Sequence, residues 1–473
     1  MNILQKNIFV SESELNVQKE YTEKVRTVLS SRYPTAPKAF VHTYGCQGNV
    51  ADSEHIKGML IEMGYVLCDD VSEADFILYN TCAIREHAED RVFGNVGALK
   101  KYKKEKPGLI IALCGCMMQQ EHIAEKIKKS YPFVNLVFGT HVTHKLPELV
   151  SKVLCTGKRV FCIDQSDGVI AEGLPSSRDS GENAWLPIMY GCNNFCSYCI
   201  VPHVRGRERS RKPEDILREV KCLVADGVRE VTLLGQNVNS YRGDENTDFS
   251  DLIYMLNEVE GLERIRFMPS HPKDLSDKLI QAYVDCEKLC KYIHLPVQCG
   301  SSRVLKEMNR KYTREDYLEL IRKLRAAVPE ITISTDIIVG FPGETEEEFE
   351  ETLSLVAEVE YDSAFTFLYS IRKGTPAEKY PDQIPEEVKH ERFNRLVDLV
   401  NEISAKKNAA YVGRVEKVLV EGYSKNTATA YSGRTDGFKL INFEGSEDLV
   451  GKIVNVRVTA GKTFSLEGEI VSE

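Results

Sequence analysis

The 473-residue chain has no uninterrupted apolar run near the roughly 20 residues a membrane-spanning helix requires, so it reads as a water-soluble protein without a membrane partner. Its first residues, MNILQKNIFVSESELNVQKEYTEKV, lack the basic start and apolar segment of an export signal, and the expected compartment is the cytoplasm. The strong positive balance of a protein that coats nucleic acid is also missing: the formal net charge is -10, so any RNA contact must be regional. With 42% apolar and 28% charged residues the composition is that of an ordinary globular protein, and the length suits about three domains. Cysteine, by contrast, is plentiful, with 14 residues. In a reducing compartment, clustered thiols serve metals or catalysis rather than disulfides.

Residues 1–36 show little hydrophobic periodicity and read as a partly helical or disordered extension. From residue 37 to 162, short apolar runs (AFVHTYGC, DFILYNTC, LIIALCGC) each precede an amphipathic stretch, the pattern of a parallel α/β sheet. Residues 163–184 are rich in Gly, Ser and Asp and read as a linker. Residues 185–410 hold six further apolar runs (WLPIMY, VREVTLLG, RIRFM, KYIHL, ITISTDIIVG, SAFTFLYS), which suit a partial (β/α)6 barrel. Pro213 and Gly227 bracket one amphipathic helix there, and Thr345 followed by three glutamates starts another. Residues 411–473 alternate as short strands with Gly turns, a small all-β barrel of a shape often used for nucleic acids.

Two cysteine sets carry chemistry. Cys192, Cys196 and Cys199, in GCNNFCSYC, follow the first barrel strand, where such barrels place their active sites. A closed zinc site wants four ligands, and no fourth lies at a usual short spacing. Three thiolates on a four-iron cluster instead leave one iron open for a substrate or cofactor. Cys46, Cys82 and Cys116 each end an apolar run; on a parallel sheet they either converge at one edge or are ordinary buried cysteines, as Cys68, Cys155, Cys162, Cys222, Cys286 and Cys290 are expected to be. Cys114 is expected to point away within the strand or to sit in its turn, and is left out of the ligand set.

The spacing CxxxCxxC resembles the radical S-adenosylmethionine (SAM) superfamily. Together, TYGCQGN, NTCAIRE, GCMMQQ, GCNNFCSYC, GQNVNSY, LPVQCGS and STDIIVGFPGET resemble, in order and spacing, the radical SAM methylthiotransferases. Within that family GCQ, NTCAIREHAEDRVFG and LLGQNVNSYRG look most like the members that place a methylthio group on isopentenylated adenosine beside the tRNA anticodon. The C-terminal barrel looks like the family's RNA-binding TRAM module. The same chemistry on threonylcarbamoyl-adenosine in tRNA, or on a ribosomal-protein aspartate, is the alternative within the family. A metal-stapled RNA-binding protein without catalysis is the alternative from another class.

The resemblance implies two 4Fe-4S clusters, each with three Cys ligands and one open iron: Cys192, Cys196 and Cys199 for the cluster that binds SAM, and Cys46, Cys82 and Cys116 for an auxiliary cluster that carries sulfur. One SAM would donate a methyl group and another yield the radical needed to replace the C2 hydrogen of adenine by the methylthio group. The partner implied is a tRNA anticodon stem-loop, and the chain is expected to act as a monomer. Gln236, Asn237, Asn239, Gln298, Ser301, Asp336 and Gly340 are candidates to contact SAM at the barrel mouth. Gln47 and Asn49 flank an auxiliary cysteine and are candidates to orient it. Arg205, Arg207, Arg209 and Arg211 alternate with other residues, so an extended segment would project all four to one side, towards phosphates or substrate; a set of internal salt bridges is the competing reading. KKYKKEK at 100–106 is either an RNA contact or a solvated helix end. The sequence departs from the family at Gly48, commonly methionine, at Cys299, commonly serine, and at Pro269, commonly threonine.

Overall fold

Strand and helix alternate from Lys38 onward in the computed structural model, which describes residues 8–83, 86–178, 181–424, 427–445 and 448–471. The chain divides into two compact units, one of residues 1–179, 189–193 and 199–211, the other of residues 180–188, 194–198 and 212–473.

In the first unit β1 (Lys38–Thr43), β2 (Val66–Leu67), β3 (Phe76–Thr81), β4 (Ile110–Gly115), β5 (Leu136–Phe138) and β6 (Val160–Cys162) form one parallel sheet in the order β2-β1-β3-β4-β5-β6. β3 and β4 are buried along their whole length, as strands covered on both faces must be. Phe76, Leu78, Ala112 and Cys114 pack on one face with Ile56, Leu60 and Val150, while Ile77, Ile111 and Leu113 pack on the other with Val92, Val96 and Ile127. Strand order reverses between β1 and β3. At such a switch point an open α/β sheet leaves a crevice outside the carboxyl ends of its strands, and Cys46 and Cys82 emerge there.

The extension expected before residue 37 is, from Glu12 to Arg32, a single helix capped by Ser11, with Val25 and Leu29 buried in the sheet's core; residues 1–7 lie outside the described residues. Its apolar positions are few but correctly spaced, and two well-placed side chains suffice to seat it. The expected burial of the remaining cysteines also needs correction: Cys155 and Cys222 are exposed, and Cys68 and Cys162 are only partly covered.

After β7 (Asn183–Pro187) of the second unit, the antiparallel pair β8 (Met189–Tyr190) and β9 (Arg209–Ser210) belongs again to the first. The second unit continues with β10 (Glu230–Leu234), β11 (Arg264–Met268), β12 (Tyr292–His294), β13 (Thr332–Val339) and β14 (Ser363–Leu368). All six expected barrel strands are present, as parallel sheets β7-β10-β11 and β12-β13-β14. They are joined where the N–H of Cys290 donates to the Ile265 carbonyl, 3.0 Å. The helix Pro213–Ala225 starts on its proline and ends with Gly227 at φ +98°, and Thr345 and Glu348 form a reciprocal capping box. No helix among the described residues is long and apolar enough to cross a membrane.

β15 (Val415–Ser424), β16 (Thr427–Thr435), β17 (Leu440–Glu444), β18 (Ile453–Gly461) and β19 (Leu466–Ile470) close into a barrel around Val418, Val420, Ile441, Phe443, Val456 and Leu466. Its turn at 435–437 sits on the starting ends of the parallel strands. Arg266, fully buried on β11, donates to the carbonyls of Thr435 (2.8 Å) and Asp436 (2.7 Å) and pairs with Glu230 (3.0 Å). Thr332, at the start of β13, donates to the Gly437 carbonyl, 2.7 Å.

Candidate functional site

Cys46, Cys82 and Cys116 stand one to three residues beyond the ends of β1, β3 and β4, neighbours in the sheet. Cys46 is the N-cap of the helix Gln47–Glu62. Two glycines let the three strand ends crowd together. A Cβ on Gly45, at φ +139°, would lie 2.9 Å from the Cys82 Cβ, and one on Gly115, at φ +94°, would collide with the Asn80 side chain and the Thr81 carbonyl. Gly191, before Cys192, is likewise at positive φ (+76°) against the Arg207 carbonyl. Three of the six candidate ligands therefore follow a glycine that only a residue without a Cβ can replace.

Asn49, fully buried, ties these ends together: its amide donates to Asn80 Oδ1 (3.0 Å) and the Thr81 carbonyl (3.2 Å), and its Oδ1 lies 3.4 Å from Cys46 Sγ. Gln47, its neighbour, is exposed. Cys114 lies in the apolar core with Phe76 and Leu78, away from Cys116. The motif NTCAIRE runs on through Ile84 and Arg85, which lie outside the described residues.

The arginine segment is not extended along its length, which corrects the expectation that four side chains share one side. Arg205 ends the short helix Val201–Arg205, Gly206 turns the chain at φ +74°, and only Arg209 and Ser210 form a strand. Arg205 is buried. Its Nε donates to Cys116 Sγ, 3.0 Å, and its Nη2 pairs with Asp52, 2.7 Å. Burial pushes the Cys116 thiol up to about 12, with the Arg205 charge pulling the other way. Arg209 is buried over the Tyr190 ring and donates to the Asp167 and Arg207 carbonyls, and Arg211 is bound through two nitrogens to Glu172 (2.8 and 2.6 Å). Internal pairing wins at these three positions, because their guanidiniums are buried among acceptors rather than turned outward; Arg207 is exposed. In the lysine run, Lys103 and Lys106 are spent on backbone carbonyls, and Lys100, Lys101 and Lys104 are left for solvent or a ligand.

In the second unit, Asn194–Tyr198 of the GCNNFCSYC loop is held by the segment Glu307–Arg310. The Ser197 N–H donates to the Met308 carbonyl (3.0 Å) and its hydroxyl to the Glu307 carbonyl (2.8 Å), while Asn309 Nδ2 donates to the carbonyls of Asn194 (3.2 Å) and Phe195 (2.8 Å). Arg310, buried, directs Nη1 at Cys196 Sγ (3.4 Å), Nε at the Tyr312 hydroxyl (2.8 Å) and Nη2 at the Pro296 carbonyl (2.9 Å). Sequence reasoning missed MNR (308–310) altogether. The available signal was an Asn able to adopt positive φ, here +59°, just after a short helix and before an arginine.

At the carboxyl ends of the barrel strands, Asn237 follows β10, donates to Asp274 (2.7 Å), and keeps a buried Oδ1 without a hydrogen-bond partner; both side-chain polar atoms of Asn239 are buried and equally unpartnered. Gln236 lies beside them in the same loop. Gln298 is buried at φ +72° and bridges to β13 next to Asp336, whose carboxylate is 3.5 Å from His294 Nε2. Two candidates are committed elsewhere. The Ser301 hydroxyl donates to Glu348, 3.3 Å, and Gly340 is a close approach in which an added Cβ would strike Lys389. Cys299 is buried against Thr352, and a Cβ added at Gly48 would stand at ordinary contact distance, 3.7 Å, from Cys46 Sγ, so neither departure disturbs a candidate ligand.

Each cysteine triad offers soft thiolate donors with a buried arginine on one sulfur, and the barrel mouth offers unpartnered amides; both suit a cluster with an open iron and a polar ligand on it. Among the described residues no three His, Cys, Asp or Glu side chains are grouped as ligands of a single ion. A cubane cluster gives each thiolate its own iron, so its ligands stand farther apart than those of one ion.

Three family models match: the Radical SAM superfamily over residues 186–356, Uncharacterized protein family UPF0004 over 38–139, and the TRAM domain over 409–471. Curated relatives include a tRNA-2-methylthio-N(6)-dimethylallyladenosine synthase of Clostridium beijerinckii, 57% identical over 433 residues (91% of this chain, 95% of the relative). Another of the same name, from Clostridium tetani, is 57% identical over 434 residues (91% of this chain, 96% of the relative). Among solved structures, a radical S-adenosylmethionine methyltransferase from Kitasatospora setae, with cobalamin and a 4Fe-4S cluster bound, has the same general fold: TM-score 0.54 and 13% identity over 72% of this chain and 77% of that one.

Proposed function

We propose, for a chain that belongs to the family of tRNA-2-methylthio-N(6)-dimethylallyladenosine synthases, that it is a radical SAM methylthiotransferase adding a methylthio group to C2 of N6-dimethylallyladenosine beside the anticodon of tRNA. A radical SAM protein uses a 4Fe-4S cluster and SAM. The observation that carries the finer reading is the presence of a CxxxCxxC loop after the first strand of a partial barrel together with three cysteines at adjacent strand ends of a separate sheet. On this reading Cys192, Cys196 and Cys199 hold the cluster that binds SAM, and Cys46, Cys82 and Cys116 hold a second, auxiliary cluster. Bound there, the two clusters would supply reductive cleavage of SAM at one site and an open iron for the incoming sulfur at the other, one SAM giving the methyl group and another the radical.

The chain's own residues position these partners. Gly45 and Gly115 permit the approach of three strand ends, and Asn49 locks the backbone from which Cys46 and Cys82 project. Asn309 holds the middle of the SAM-cluster loop. Asn237, with its Oδ1 buried and unpaired, and Asn239, with both side-chain polar atoms so, are set to receive the polar groups of SAM, since an unsatisfied buried amide group costs about 1–3 kcal/mol until it finds a partner. Asp336 is in the middle of β13, its carboxylate 3.5 Å from His294 at the end of β12. The TRAM barrel supplies RNA affinity.

The test is nucleoside mass spectrometry of tRNA from cells with and without this protein. Loss of the methylthio mark on dimethylallyl-adenosine alone is expected. An intact mark, or loss on threonylcarbamoyl-adenosine instead, overturns the substrate; zinc in place of iron with no SAM cleavage overturns the enzyme in favour of a metal-stapled RNA binder.

A further inference from the structure

Two buried arginines have a feature in common. Arg205 points one guanidinium N–H at Cys116 Sγ, 3.0 Å, in the first unit, and Arg310 points one at Cys196 Sγ, 3.4 Å, in the second. Each therefore addresses one sulfur of one triad, and each is locked by its remaining donors. A three-thiolate cluster carries net negative charge, more so when reduced, and a charge withdrawn from water needs a partner. Hydrogen bonds to the sulfurs and local charge are also what sets a cluster's reduction potential.

Their other partners differ. Arg310 donates to a hydroxyl and a carbonyl, both neutral, so among the described residues no carboxylate partner offsets its charge beside Cys196. Arg205 shares its charge with the Asp52 carboxylate, 2.7 Å away. Resting on the assignment of the two triads given above, we propose that Arg205 and Arg310 are positioning residues, one for each cluster, that fix a ligand thiolate and raise that cluster's potential. Asp52 holds the effect at the auxiliary cluster below that at the SAM cluster. The difference in delivered charge favours reduction of the cluster that cleaves SAM over the one that carries sulfur.

The test uses the full chain, reconstituted with iron and sulfide, in two backgrounds: C192A, C196A and C199A, which keeps only the auxiliary cluster, and C46A, C82A and C116A, which keeps only the other. Potentials are read by titration followed with electron paramagnetic resonance, alongside iron content. In the first background R205Q is expected to shift the potential to more negative values and D52N to more positive ones; in the second, neither moves it, and R310Q shifts it negative. Shifts of the same sign for R205Q and D52N, or none at full iron content, overturn the proposal and leave Arg205 a packing residue. If R205Q loads less iron, D52N still decides, because it removes a charge without touching a ligand, and an unmoved potential there overturns the proposal. A first background that takes up no iron at all refutes the triad assignment itself, a separate result.

Discussion

Asn309 Nδ2 donates to the carbonyl of Phe195 at 2.8 Å, and both residues are at positive φ, +59° and +48°. The Asn194–Tyr198 segment is thus held from across its own unit in a backbone shape it would not choose alone. Asn309→Gly keeps the backbone and deletes the two hydrogen bonds, at a cost of about 1–3 kcal/mol. Slower anaerobic cleavage of SAM, by about tenfold or more, with the auxiliary cluster fully loaded, is the expected outcome.

The two triads should separate by mutation. Cys196→Ala abolishes SAM cleavage while the auxiliary cluster still loads; Cys82→Ala leaves cleavage running and stops the methylthio product. Iron analysis and product mass spectrometry on the same samples check both, and equal loss of both clusters in each variant counts against two sites.

Gly115→Ala forces a Cβ into the Asn80 side chain and the Thr81 backbone at φ +94°. Backbone strain of about 1–3 kcal/mol and a similar cost of overpacking add up here. The first unit should lose several degrees of thermal midpoint, and iron held at Cys46, Cys82 and Cys116 should fall further than iron at the other triad.

Glu344 is buried under Arg392, 3.1 Å, and accepts the Gly340 N–H, 2.8 Å; burial pushes its carboxyl up to about 7 despite the arginine. A carboxyl whose folded value exceeds the unfolded 4.5 takes up a proton on folding. Its contribution is full below that value and declines as the pH rises towards 7, by roughly 3 kcal/mol at most. Glu344→Gln should flatten the difference in unfolding midpoint between pH 5 and pH 7; a wild-type midpoint that rises relative to the variant over this range would show the ion pair in control.

Arg266→Ala strips Glu230 of its nearest partner and frees two carbonyls of the C-terminal barrel, a cost of about 3–5 kcal/mol. Limited proteolysis should then release a fragment starting near Val412, which the wild type resists. Lysine is not an adequate replacement, since one ammonium cannot serve a carboxylate and two carbonyls in a fixed fork.

Much of this was readable from residue order. The unbroken apolar runs of β3 and β4, the proline and glycine around the helix Pro213–Ala225, and the capping box at Thr345 are local signals, and local chemistry decided them. Long-range partners were not readable. Nothing beside Arg205 in sequence announces that Cys116, 89 positions earlier, receives its N–H, and an alternating arginine run looks the same whether it is solvated or buried. The N-terminal helix was obscured for the opposite reason, too little apolar signal spread over a long polar surface.

β13 begins at Thr332, which holds the TRAM barrel's Gly437 carbonyl, and runs to Val339, next to Gly340 at the barrel mouth. Eight residues of strand measure about 25 Å. The C-terminal barrel is therefore seated at the starting ends of the strands, and one continuous strand separates that seat from the barrel mouth. On the proposed function, swapping the module at that seat for another RNA-binding one is expected to change how tightly tRNA is held and to leave the position of the mark where it was, as nucleoside mass spectrometry would read.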